Sequence, residues 1–250
     1  MRSLTGGCRV YSAEDGQVTT HGNWTARTVI CQDSGARRIT QTVSEYAPGL
    51  SPALVNPAAE EVLYIAGGEG NCRIGGFAYA LTPGAAIFVP PGAPYKIENP
   101  GPRTIRMVSS CCPEDPHRHI VDSPLPAASG HPPRLLVHED LREDIRAGQD
   151  RLFRYLVYTD LGCKQITQFA GWIPPGKAPV HYHTYEEGIF ILEGRGIVHT
   201  DGESCEFEAG SSIYFPIGVR HCVENPGTAT IKLLGAFYPS GSPGEAYDSG

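Results

Sequence analysis

No run in this chain approaches the roughly 18 apolar residues that a helix needs to cross a bilayer, so a spanning helix is not expected. The stretch Met1–Ser12 lacks the apolar centre of a secretory signal. Lys and Arg form no long run: there are 20 of them against 27 Asp and Glu, for a formal charge of −7. That balance argues against nucleic acid or an anionic membrane as the main partner. Cysteine is present, at positions 8, 31, 72, 111, 112, 163, 205 and 222, but never as Cys-x-x-Cys. A zinc ribbon or a dithiol redox motif is therefore excluded. The cysteines read as small buried residues, and the expected compartment is the cytoplasm with reduced thiols. Helical patterning is also scarce. The best helical stretch is the polar segment Glu139–Ala147.

Turn residues, by contrast, are plentiful. Gly (30) and Pro (22) are scattered between short apolar runs, as turns between strands would be. The second half divides into strand-like runs at 154–158, 165–173, 188–192, 196–199, 212–215, 219–224 and 231–238. Thr200-Asp201-Gly202-Glu203 carries the Asp-Gly signal of a two-residue hairpin. Strands at this spacing predict an all-β sandwich or barrel.

The chain also repeats itself. Glu60-Glu61 recurs as Glu186-Glu187, an offset of 126 that also carries Gly68 to Gly194, Gly84 to Gly210, Pro90 to Pro216 and Gly92 to Gly218. Glu98-Asn99-Pro100-Gly101 recurs as Glu224-Asn225-Pro226-Gly227. Upstream, Ile39-Thr40-Gln41 returns as Ile166-Thr167-Gln168, at an offset of 127. So many turn residues in register imply a tandem duplication. The expected division is a first barrel at 9–112, a linker at 113–134, a second barrel at 135–239 and a weakly ordered tail at 240–250.

Only the second copy is rich in metal-ligand residues. His181 and His183 alternate onto one face of a strand, Glu187 follows four positions later, and His221 lies beyond Pro216-Ile217-Gly218. Four residues of straight strand span about 13 Å, so Thr184 to Glu186 must bend to bring Glu187 back. Three imidazoles and a carboxylate suit one divalent ion with a position left open, the mark of a catalytic site. In the first copy Glu61 keeps the carboxylate, but Val55, Pro57 and Tyr95 occupy the three histidine positions.

Gly176-x4-His181-x-His183-x3-Glu187-x6-Gly194 closely resembles the first signature motif of the cupin superfamily, differing by one residue after the leading Gly. Gly210-x5-Pro216-x-Gly218-x2-His221-x3-Asn225 matches the second. The resemblance implies two tandem cupin barrels, or jelly rolls: a degenerate first one and a second that binds metal through His181, His183, Glu187 and His221. It implies one divalent ion, Fe or Mn first, with Ni, Zn or Cu as further candidates. The implied activity is a non-haem dioxygenase-type oxidoreductase on a small chelating enol, diketone or hydroxy-carbonyl substrate, with Glu187 placed to take a substrate proton. The layout is also similar to the (S)-ureidoglycine aminohydrolase family, so a metal-dependent hydrolase, lyase or isomerase is the alternative. That family has Glu and Gln where this chain has His181 and His221. A ligand-binding protein without activity is the third reading.

Tyr185 and Arg220 flank ligands and are expected to contact substrate, together with Gln168 and Trp172 on a shared strand face. Glu186 is expected to point outward. His117-Arg118-His119 has ligand-like spacing but falls in the Pro-rich linker. Exposed strand edges make a homodimer the expected assembly.

Overall fold

The computed structural model describes residues 1–113, 119–121, 125, 127–147 and 151–241. They form two β-sandwich barrels, each a large sheet facing a small one. The large sheet of the first half runs Leu136–His138, Ala85–Val89, Glu60–Gly67, Ile105–Cys112, Thr40–Tyr46, Trp24–Ile30, Gln17–His21. That of the second half runs Arg2–Ser3, Arg9–Tyr11, Ser212–Phe215, Glu186–Glu193, Ile231–Tyr238, Thr167–Ile173, Arg151–Val157, Ile145–Ala147. The small sheet of the second half joins Gly176–Lys177, His221–Asn225, Arg195–Thr200 and Glu203–Glu208. Its hairpin closes at the expected place: Thr200 faces Glu203, and Gly202 takes a φ of 79° that favours glycine.

The central strand Glu186–Glu193 is buried on both faces, which is why its sequence lacks polar alternation. Its two faces meet different cores. Ile189 and Ile191 enter the interior of the second barrel, while Phe190 joins the core of the first. Strand alternation therefore sends Glu187 inward and Glu186 towards the other barrel. Glu186 thus points out of its own barrel, as expected, but into the other barrel rather than into solvent: it is 2% exposed and accepts backbone N–H bonds from Arg37 (3.1 Å), Arg38 (2.9 Å) and Ile39 (3.1 Å). Its repeat partner Glu60 does the same in reverse, accepting from Lys164 (2.9 Å), Gln165 (2.7 Å) and Ile166 (3.4 Å). Each barrel thus inserts a carboxylate into a backbone loop of the other.

Strand pairing crosses the boundaries drawn from the sequence. Arg9–Tyr11, at the start of the first repeat, pairs with Ser212–Phe215 in the second barrel's sheet. Leu136–His138, at the start of the second repeat, pairs with Ala85–Val89 in the first barrel's sheet. Tyr11 faces Ser212 and Val137 faces Ala86; the repeat offset of 126 relates Tyr11 to Val137 and Ala86 to Ser212, so the exchange is symmetrical.

The helix expected over Glu139–Ala147 is absent. A single 3-10 turn spans Glu139–Leu141, and Ile145–Ala147 pairs with Arg151–Val157 as an edge strand. Glu139 is instead tied to tertiary partners, Lys232 Nζ at 2.7 Å and Tyr64 Oη at 2.9 Å, which override its local preference. In the linker, His119–Val121 pairs with Ala53–Val55, leaving His119 exposed. His117 and Arg118 lie outside the described residues, as does the expected tail from residue 242 onward.

Candidate metal centre

The second barrel's interior places three histidines on one spot. His181 and His221 form an isolated antiparallel bridge, His181 N–H donating to His221 O (2.9 Å) and His221 N–H to His181 O (2.8 Å). Directly opposed residues of such a pair present side chains to the same face. The turn at Pro216-Ile217-Gly218 brings the segment back, with Gly218 at φ 78° and its N–H donating to His183 O (2.8 Å). The ligand atoms of His181, His183 and His221 lie within 4.8 Å of one another, and all three residues are buried.

The hydrogen bonds set the tautomers. His181 Nδ1 lies 3.0 Å from Pro179 O, and His221 Nδ1 lies 2.8 Å from Val219 O. A carbonyl only accepts, so each Nδ1 carries the proton and each Nε2 keeps its lone pair for an ion. Burial lowers the pKa of His181, and burial with the neighbouring His183 and His181 pushes His221 down to about 2. Both rings are thus held in the neutral form that binds metal. His183 Nδ1 is buried without a hydrogen bond, although Glu187 Oε2 sits 3.2 Å away. A solvent-free nitrogen beside a carboxylate, facing two further imidazoles, fits a divalent ion. The bend required at Thr184 to Glu186 is present, bringing Glu187 onto His183.

Of the other candidates, Tyr185 is buried, its ring stacked between His183 (centroids 4.5 Å apart) and Phe237 (4.3 Å). Tyr185 and Trp172 line the pocket above the histidines; Gln168 does not. Gln168 is fully buried, and neither its Oε1 nor its Nε2 has a partner. Arg220 is exposed and does not line the pocket, contrary to expectation, because the strand that begins at His221 turns the preceding residue outward. The cation that does line it is Arg151, whose Nη2 donates to Val223 O at 3.0 Å. It comes from a strand 30 residues before His181, and no motif marks it. The rest of the wall is apolar, including Phe153, Phe169, Phe215 and Leu233, around a space of about 80 Å³.

At the equivalent place in the first barrel, the Tyr95 hydroxyl donates to Glu61 Oε1 at 3.2 Å, with both side chains fully buried. A phenol and a carboxylate engaged with each other replace the imidazole set.

The cupin domain model matches twice, over residues 42–111 and 172–237, and the chain belongs to the cupin family. An uncharacterized protein of Methanocaldococcus jannaschii is 42% identical over 69 residues, which is 27% of this chain and 55% of that protein. The chain therefore spans little more than half of that relative. Oxalate decarboxylase of Bacillus subtilis, a protein with Mn(II) centres, superposes over 93% of this chain and 78% of its own, with a TM-score of 0.76 and 16% identity. A protein of Pseudomonas aeruginosa described as glyoxylate-induced superposes over 94% of this chain and 91% of its own, with a TM-score of 0.74 and 20% identity. At those identities the likeness is one of fold: two tandem cupin barrels.

Proposed function

We propose that the protein is a metal-dependent enzyme, an oxidoreductase of the dioxygenase type acting on a small chelating substrate. His181, His183, His221 and Glu187 would hold one divalent ion, Fe or Mn first. The observation that carries this reading is the pair of Nδ1–H bonds to Pro179 O and Val219 O, which leaves two Nε2 atoms unprotonated beside His183. Second to it is the buried approach of Glu187 to His183. Bound there, a redox-active ion would supply electrons for O₂ chemistry, and a redox-inert one would act as a Lewis acid. The chain's own residues bind, orient and exclude water. Glu187 is positioned to accept a substrate proton. Arg151 offers the pocket its positive charge, and aromatic side chains form much of its wall.

Size selects among substrates. The space of about 80 Å³ beside the histidines is small and walled by aromatic rings. That favours small enols, diketones and hydroxy-carbonyl compounds. A second reading, a metal-dependent lyase, hydrolase or isomerase, draws support from the fold likeness to a decarboxylase and from Arg151 as a carboxylate partner. His181 and His221, in place of the Glu and Gln of ureidoglycine aminohydrolases, count against ureide chemistry.

The test is oxygen uptake by metal-loaded protein on a panel of such substrates, repeated under argon. Uptake that tracks substrate loss supports the oxidoreductase. Equal turnover under argon rejects it and leaves the Lewis-acid reading.

A further inference from the structure

The two barrels meet around an approximate twofold axis, and equivalent residues line a cavity of about 250 Å³ there. Tyr64 and Phe190, Gly84 and Gly210, and Arg106 and Lys232 are pairs related by the repeat offset of 126. On one side of the axis the charge is balanced. Glu139 projects from its turn against Gly84 and takes the Lys232 ammonium at 2.7 Å and the Tyr64 hydroxyl at 2.9 Å. The residue equivalent to Glu139 is Ala13, which sits against Gly210 as Glu139 sits against Gly84. Arg106 therefore has no carboxylate where Lys232 has one. The acid nearest to Arg106 in register is the exposed Glu45, which faces it across the strands without an ion pair among the described residues, and the Arg106 Nε is buried without a hydrogen-bond partner. The guanidinium stands over the Phe190 ring, 5.8 Å from its centroid, and lines the cavity. Glu193 also borders the space, but it is solvent-exposed and opposes Lys232 across the strands.

We infer that this inter-barrel cavity is a second binding site, for a small carboxylate anion. The anion takes the place that the Glu139 carboxylate fills across the axis. Its oxygens meet the Arg106 fork, the best-matched donor for a carboxylate, and its carbon body lies on Phe190. The site is separate from the histidine pocket and does not depend on the chemistry proposed there.

The experiment is a titration of the full-length protein with sodium acetate and sodium malonate against sodium chloride at matched ionic strength. It is followed by thermal unfolding and calorimetry. A saturable, carboxylate-specific stabilisation is expected, unchanged in His221→Ala, which separates it from the metal pocket. Arg106→Gln should weaken binding by about tenfold or more, the loss expected for a charged hydrogen-bonded partner. Ala13→Glu alters an exposed turn residue, and so keeps the test open if Arg106→Gln folds poorly. It should raise the melting temperature without added anion and abolish the response to carboxylate. No saturable response, or one that survives both Arg106→Gln and Ala13→Glu, overturns the inference. A response to phosphate or sulfate but not to carboxylates overturns the choice of ligand.

Discussion

His181 and His221 owe their chemistry to backbone carbonyls as much as to their own rings. Pro179 O and Val219 O hold the Nδ1 protons, so both Nε2 atoms face inward as bases. The motif spacing made these residues legible, because a His-x-His strand and a Pro-x-Gly turn are local features. Arg151 was not legible, since it reaches the pocket from a strand that carries no motif. Gln168 shows another limit. Its repeat partner Gln41 accepts a 2.8 Å hydrogen bond from the Ser212 hydroxyl, whereas the residue equivalent to Ser212 is Ala86. Ala86→Ser should therefore give the buried Gln168 amide a partner and stabilise the fold by about 1 kcal/mol. Urea denaturation would measure it, and a net loss of stability would show that the two side chains do not meet.

Thiol reactivity follows burial. Burial, with Cys205 nearby, pushes the Cys8 thiol up to about 12, and burial raises Cys72, Cys112 and Cys163 as well. At pH 8 the reactive thiolate of Cys8 is then about one part in ten thousand. Half-buried Cys31 and Cys205 should be alkylated first by iodoacetamide at pH 8, with Cys8 labelling only as the pH climbs towards its pKa. Peptide mapping by mass spectrometry checks the order, and early labelling of Cys8 in folded protein would contradict it.

Among the strands, Glu60–Gly67 and Glu186–Glu193 connect everything else. Each belongs to its own barrel through one face and to the other barrel through the opposite face. The doubled glutamates in each copy were visible as a repeat, but their division of labour was not, because it depends on a sheet contact 147 residues distant for Glu186 and Ile39. Removing the Glu186 carboxylate strands three backbone N–H groups. Glu186→Ala is expected to cost about 3 kcal/mol, read from denaturant unfolding. A cost below about 0.5 kcal/mol, the usual range for a surface substitution, would mean that the contact is not structural. The segment Glu139–Ala147 failed as a helix for a similar reason: its polar pattern serves contacts with Lys232 and Tyr64 rather than a solvated helix face.

The molecule as a whole is a duplication whose halves are laced together. Because Arg9–Tyr11 extends the large sheet of the barrel that carries the three histidines, deleting residues 1–11 should destabilise the second barrel first. Hydrogen exchange should then rise in Ser212–Phe215 ahead of the first barrel's core strands. Equal protection in both forms would argue that the exchanged strand is dispensable. Such pairings could not be read from periodicity, which locates strands but not their neighbours. The two laced halves differ at their centres: Tyr95 closes onto Glu61 in the first, where the second carries its three imidazoles.

Elemental analysis of protein purified without added metal or chelating resin, beside His221→Ala prepared in the same way, is the decisive measurement. Close to one equivalent of Fe or Mn per chain, lost in the variant while its β-sheet circular dichroism is retained, is the result expected. A wild-type protein without stoichiometric metal, or a folded variant that keeps its full complement, would contradict it.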